Sequence, residues 1–350
     1  MRHARVVVVA ALLAVTAPVV HAAHRAPAYH IVSRISPGGD GGWDYLTFDP
    51  AGRRLFVTRG SHVQVLDAEK GVVVGDIANT GGVHGVALAP DLGRGFTSNG
   101  RDTTVTVFDL KTLATVATIR IPGIGPDAIA FEPTTRRVFT FNGHSGDATA
   151  IDAVNDSVVG TVPLGGTPEF AVADGRGHVF VNIEDKSELV EFDPRTLAVI
   201  ARWPLAPGEE PTGLAMDRKT RRLFVGCGNR HLIAMDAESG RVVADLPIGD
   251  GVDAVGFDPA THLVLSSNGE GTLSLAREVS AARLDSLATV LTQRGARTLA
   301  LDEKTHRIYL ATAQFGDPPP PTADHPHPRR PMVPGSFVIL VLDPGPASTH

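Results

Sequence analysis

A short apolar strand that runs into an acidic turn recurs seven times along this chain, and that recurrence limits the fold more than any single motif does. The clearest copies are Leu46-Thr47-Phe48-Asp49, Ile129-Ala130-Phe131-Glu132, Leu214-Ala215-Met216-Asp217, Val255-Gly256-Phe257-Asp258 and Leu299-Ala300-Leu301-Asp302. Val86-Ala87-Leu88-Ala89 and Ala171-Val172-Ala173-Asp174 are weaker copies. Turn positions 49, 89, 132, 174, 217, 258 and 302 are spaced by 40, 43, 42, 43, 41 and 44 residues. A β-branched or aromatic triplet follows each turn, such as Leu55-Phe56-Val57 or Val138-Phe139-Thr140. A third strand then ends on aspartate at Asp67, Asp109, Asp152, Asp193, Asp236 and Asp343, with Leu275-Ala276-Arg277 as the exception. A fourth strand, such as Val72–Ile77, completes the unit. Short alternating runs of these residue types, bounded by turn formers, read as strands.

Four strands in each repeat of about 42 residues make one blade of a propeller. Such a blade has two apolar faces and can bury them only against its neighbours. The chain is therefore expected to be all-β: a seven-bladed β-propeller of four-stranded antiparallel blades. The seventh unit stops after its third strand at Asp343, while an orphan strand, Tyr29–Ile35, precedes the first unit. That N-terminal strand is expected to close the last blade and leave no long unpaired edge. After residue 30 no segment sustains a 3.6-residue apolar period, which argues against an α/β fold. Residues 23–344 then form one domain, with a Pro-rich loop at 316–335 in blade seven and a short tail at 345–350.

Residues 1–22 read as a signal peptide. Arg2 and Arg5 precede an apolar run, Val6–Val20, and Val20-His21-Ala22 puts small residues at the −3 and −1 positions. The run is too short for a membrane span. A periplasmic or secreted protein with no integral membrane segment after cleavage is the expectation. Loss of those two positive charges takes the net charge from −6 to −8. A mildly acidic chain lacks the basic patch that a nucleic-acid partner requires. With one cysteine, Cys227, the chain can form neither an internal disulfide nor a C-x-x-C-H haem attachment.

Arg54-Leu55-Phe56-Val57-Thr58 and Arg222-Leu223-Phe224-Val225-Gly226 resemble the repeats of YVTN-type, YncE-like propellers, a likeness that covers residues 28–344. The resemblance implies a periplasmic or extracellular seven-bladed propeller. It implies no particular reaction, because propellers host many activities.

In a propeller the innermost strand of each blade lines the central channel. The loops leading into it share one face, here called the top, with the loops that join strands two and three. Seven positions lead into these strands with the repeat spacing: Asp44, His84, Asp127, Glu169, Thr212, Asp253 and Arg297. Carboxylates with one imidazole suit Ca²⁺, Mg²⁺ or Mn²⁺, so Asp44, His84, Asp127, Glu169 and Asp253 are candidate metal ligands. Crowded carboxylates would also raise one another's pKa, as a general acid or base requires. The competing reading is that these side chains only bond nearby backbone at the strand starts.

The top loops add Trp43, Arg59, Arg101 and Glu184, which with Asp44 are candidate ligand-binding residues. Asn-Gly pairs in these loops are first of all turn formers. Phe315–Gly335 carries eight prolines and the run Asp324-His325-Pro326-His327. So long a loop suits a partial lid, a metal-binding His-x-His or an extended polyproline arm.

Two functions compete. One is a non-catalytic platform that binds a small molecule or an envelope protein on its top face, in keeping with the absence of G-x-S-x-G, H-E-x-x-H and P-loop motifs. The other is a divalent-metal-assisted hydrolase or lyase, lactonase-like, with His84 or His144 moving protons and Arg297 holding an anionic substrate.

Overall fold

The computed structural model describes residues 28–39, 41–322, 328 and 330–345. The expected signal peptide and the Asp324–His327 run lie outside the described residues. Seven four-stranded antiparallel sheets form a ring, so the chain is a seven-bladed β-propeller. Their innermost strands are Leu46–Asp49, Val83–Ala89, Pro126–Glu132, Pro168–Ala173, Pro211–Asp217, Val252–Asp258 and Leu299–Asp302. Each touches the next, and the first touches the last.

Blade seven is assembled from both ends of the chain. Leu299–Asp302, Arg307–Thr312 and Val338–Asp343 are completed by His30–Ile35, which pairs antiparallel with Val338–Asp343. His30 lies opposite Asp343, and Ile35 opposite Ile339.

The core is divided into seven apolar clusters, each bridging two neighbouring blades. Phe139, Phe141 and Ala150 of blade three, for example, pack with Val181, Val190 and Phe192 of blade four. The joint between blades seven and one is filled in the same way, by Tyr309, Ile339 and Val341 against Leu55, Val57 and Leu66. No blade can bury its faces alone, so the ring gains its hydrophobic stability as one closed unit.

The repeated acids on the bottom face are turn devices. Asp49 accepts hydrogen bonds from the amides of Ala51 and Gly52 at 3.1 and 3.0 Å, and Glu132 from those of Thr134 and Thr135 at 3.0 and 2.8 Å. Asp67, Asp109, Asp152, Asp193 and Asp236 do the same at the ends of third strands. A base in the following blade reaches back to several of these turns. Arg53 donates two bonds to Asp302, Arg221 pairs with Asp174 at 2.5 Å, and His306 lies 2.7 Å from Asp258. These bases clamp adjacent blades around buried carboxylates.

Among the described residues no helix is long and apolar enough to cross a membrane.

Candidate functional site

The seven strand-leading residues converge. Asp44, His84, Asp127, Glu169, Thr212, Asp253 and Arg297 all line one cavity of about 550 Å³, with Trp43, Tyr45 and Glu184. Local backbone irregularity aims them there. The pairing of first and second strands slips between Val83 and Val86, Pro126 and Ile129, Pro168 and Ala171, Pro211 and Leu214, and Val252 and Ala254. Each slip brackets one strand-leading residue, and a slip of this kind re-aims a side chain without ending the sheet.

Polar side chains from second strands hold this backbone in place. Ser98 donates to the Asp127 carbonyl, Asn182 to the Thr212 carbonyl at 2.8 Å, and Ser267 to the Arg297 carbonyl. In each case the donor belongs to the preceding blade. The asparagines of the Asn-Gly loops are mostly spent inside the blades. Asn99 is bonded to Thr104 and Thr106, Asn142 to Asp147 and Thr149, and Asn268 to Thr272 and Ser274.

Within the cavity, His84 Nδ1 lies 2.6 Å from Asp44 Oδ2 and 3.5 Å from Asp127 Oδ1. Asp127 Oδ1 is buried and accepts no hydrogen bond among the described residues. Across the channel, Arg297 Nε pairs with Asp253 Oδ2 at 2.8 Å. Five carboxylates thus face one imidazole and one guanidinium.

That imbalance governs the protonation states. Burial, and then the charge of Asp44, pushes Asp127 up to about 6 against the pull of His84 and Arg297. Burial likewise takes Asp253 to about 6 despite Arg297, with Asp44, Asp127 and Glu184 adding to the rise. Among the described residues Glu169 has no cationic partner, and burial and the surrounding carboxylates lift it to about 9. Burial and the neighbouring Glu210 and Asp185 raise Glu184. For His84 burial favours the neutral ring, but the Asp44 hydrogen bond and the charges of Asp127 and Asp44 prevail and raise its pKa. Tyr45 is raised well above the ordinary phenol value by burial and by Asp127, so it stays a donor. Sequence reasoning missed Tyr45, although it directly follows Asp44.

One ligand atom from each of Asp44, His84 and Asp127 lies within 4.8 Å of the others. Two carboxylates, one with an oxygen that accepts no hydrogen bond among the described residues, and one imidazole fit a hard divalent cation. Such an ion would take the place of the proton on His84 Nδ1.

A second cavity, of about 540 Å³, adjoins the first and shares Trp43, Gly251 and Arg297 with it. Its walls include Phe315, Met332, Arg294 and Arg330. Phe315 and Met332 form a β-bridge at the base of the blade-seven loop, where the Gly316 amide donates to the Pro331 carbonyl at 2.9 Å. Trp43 packs on Phe315 and Phe337, with ring centroids 6.1 and 5.3 Å apart, and stays half-buried. It is a wall of the vestibule and not blade filler alone. Among the described residues Arg294 and Arg330 have no carboxylate partner.

Three of the expected residues are not in the mouth. Arg59 is completely buried, so it offers no ligand contact on the top face. Its guanidinium donates to the carbonyls of Gly38, Gly39, Gly41 and Gly42 and to Gln64, and sits 3.9 Å from the Phe337 ring centroid. It fixes the segment that delivers Trp43 and Asp44. Arg101 lines a separate, open recess with His62 and Asp76. His144 is exposed and does not line the mouth. Cys227 is buried, and burial pushes its thiol up to about 12, so it is no nucleophile.

No protein-family model matches the chain, and no curated protein matches it. Solved structures do. A chain of the Kuenenia stuttgartiensis hydrazine synthase is 15% identical, with a TM-score of 0.69, covering 78% of this chain and 93% of its own. A chain of a mitotic checkpoint complex is 13% identical, with a TM-score of 0.71, covering 97% of this chain and 98% of its own. Identities this low establish a shared fold and nothing about activity.

Proposed function

We propose that this chain is a binding propeller whose central mouth captures a divalent cation, with the adjoining vestibule receiving the organic part of a ligand. The convergence of five carboxylates and His84 on one cavity carries this reading. Arg297 is committed to Asp253, so the remaining negative charge is held back only by protons. A hard cation would relieve that repulsion, and its charge would in turn favour an anionic group lying toward Arg294 and Arg330. The propeller fold suits a platform of this kind.

A metal-assisted hydrolase or lyase is the alternative. What favours it is that Asp127, its pKa raised toward neutrality to about 6, lies 3.5 Å from His84, an arrangement suited to proton transfer. We further infer that the chain is a YncE-like, YVTN-repeat protein, exported by residues 1–22 to the periplasm or the exterior. The repeat sequences and the charged, apolar and small-residue order of that leader support both inferences.

Titration calorimetry of the purified protein with Ca²⁺, Mg²⁺ and Mn²⁺, beside an Asp127→Ala/Asp253→Ala double variant, tests the main reading. One cation per chain, lost in the double variant, is the expected result. No binding of any of the three ions would overturn it. Turnover in a lactone and ester screen of the cation-loaded protein would favour the enzyme over the platform.

A further inference from the structure

The bottom seam between blades five and six breaks the pattern of its neighbours. At the two flanking seams one base answers one buried acid: Arg221 answers Asp174 and His306 answers Asp258. Here the acid is Asp217, 3% exposed, and the corresponding base is His262. A second acid has joined them. Glu278 is 6% exposed and lies near the end of the long third strand of blade six, Thr272–Ser280. It stands just beyond the place where other blades end that strand on a turn-forming aspartate.

Glu278 Oε1 accepts a hydrogen bond from the Thr220 hydroxyl at 2.7 Å, and the same hydroxyl is 2.9 Å from Asp217 Oδ2. Glu278 Oε2 is buried and accepts no hydrogen bond among the described residues. Arg222 favours ionised Glu278 only from a distance, without a hydrogen bond to either acid. Its guanidinium is bonded to the carbonyls of Ala281 and Arg221 and to Asp236 at 2.6 Å. One ligand atom from each of Asp217, His262 and Glu278 lies within 4.8 Å of the others. Two carboxylates, an imidazole and a hydroxyl therefore surround one point with, at most, a single positive charge among them.

We propose that Asp217, His262 and Glu278 bind one Zn²⁺-class cation that clamps blade five to blade six. An imidazole with two carboxylates is a donor set that zinc accepts in tetrahedral geometry, with a water or the Thr220 hydroxyl as the fourth donor. Zn²⁺ should bind there more tightly than Mn²⁺, following the general affinity order of nitrogen and oxygen sites. The ion replaces the proton that otherwise lets two buried carboxylates lie side by side.

The test uses protein prepared without a histidine tag, stripped with chelator and titrated with Zn²⁺ in an Asp127→Asn background that disables the mouth. One Zn²⁺ per chain is expected there, with a rise in melting temperature of several degrees. Glu278→Gln and, separately, His262→Asn should each weaken binding at least tenfold and remove the thermal shift. X-ray absorption of the Zn²⁺-loaded Asp127→Asn protein should show a single imidazole among oxygen donors, a readout that does not depend on either seam variant folding. Absence of Zn²⁺ in the Asp127→Asn protein, or binding indifferent to both seam substitutions, would overturn the proposal and leave the pair as carboxyls sharing a proton. Failure of cation binding at the mouth alone leaves this result untouched.

Discussion

Arg53 in blade one grips Asp302 in blade seven through two parallel bonds, Nη1 to Oδ1 at 2.8 Å and Nη2 to Oδ2 at 2.6 Å. Asp302 is fully buried, and the pair spans the joint where the ring closes. Removing one partner of such a pair strands a buried charge and costs about 3–5 kcal/mol. Arg53→Ala should therefore lower stability by about 3 kcal/mol in urea unfolding. Arg53→Leu/Asp302→Leu should recover only the part of that loss due to the stranded charge, since the Lys304 amide and the Thr305 hydroxyl lose their acceptor in the turn. A double variant as unstable as the sum of the singles would show that the two residues act independently.

Cation capture at the mouth should strengthen as pH rises. Asp127 and Asp253 sit near 6, above the ordinary carboxylate range, and each must lose its proton to bind a cation strongly. Calorimetry at pH 5 and pH 7.5 should show an affinity at least tenfold higher at the upper value. Equal affinities would mean that these carboxylates are not ligands.

The cation-free protein should show the opposite trend. A carboxyl whose folded pKa is raised binds more protons folded than unfolded, so its contribution to stability falls as pH rises from about 4 to about 6. Asp127→Asn should thus raise the melting temperature at pH 7.5 by about 2 °C. This corresponds to about 1 kcal/mol once solvent screening in the open cavity discounts the full shift. A lower melting temperature would place Asp127 in a stabilising role instead.

Glu169 offers an internal contrast. With its pKa near 9 it is neutral at pH 7, and glutamine resembles that form in shape and charge. Glu169→Gln should leave the melting temperature within about 1 °C at pH 7, where a neutral side chain of the same shape replaces a neutral carboxyl, while stabilising the protein at pH 10, where the buried glutamate must ionise. A loss of several degrees at pH 7 would show that Glu169 is ionised.

Arg59→Lys should lower stability by about 2–4 kcal/mol and weaken cation binding together. Lysine cannot reproduce a planar fork that serves four glycine carbonyls, and an unmet buried acceptor costs about 1–3 kcal/mol. Gly41 has φ +95°, and a Cβ there would lie 2.5 Å from the Arg59 carbonyl oxygen, so Gly41→Ala should reproduce both losses. Urea unfolding and calorimetry on the two variants check this.

The ring and its closure were legible because they depend on spacing. Residues that lead each inner strand share one register, so Asp44, His84, Asp127, Glu169 and Asp253 could be placed at the mouth before any distance was known. Their interplay was not legible. Whether Arg297 meets Asp253 or Glu169 turns on separations across the channel, between residues far apart in sequence. Arg59 was misassigned for a related reason. Its loop is in register with that of Arg101, but only Arg59 is wrapped by the glycine-rich 38–42 segment. Glu278 was invisible because its importance arises from Asp217, 61 positions earlier.

His30 facing Asp343 places the first and last described strands of the ring side by side. The covalent break in the circle is thus an arbitrary one as far as packing is concerned, since all seven blade joints are filled alike. A short peptide joining these two strands of blade seven, with a new opening cut between two blades, should yield a circular permutant with the same mouth. The order in which the chain visits its blades could then be varied independently of the site the blades build.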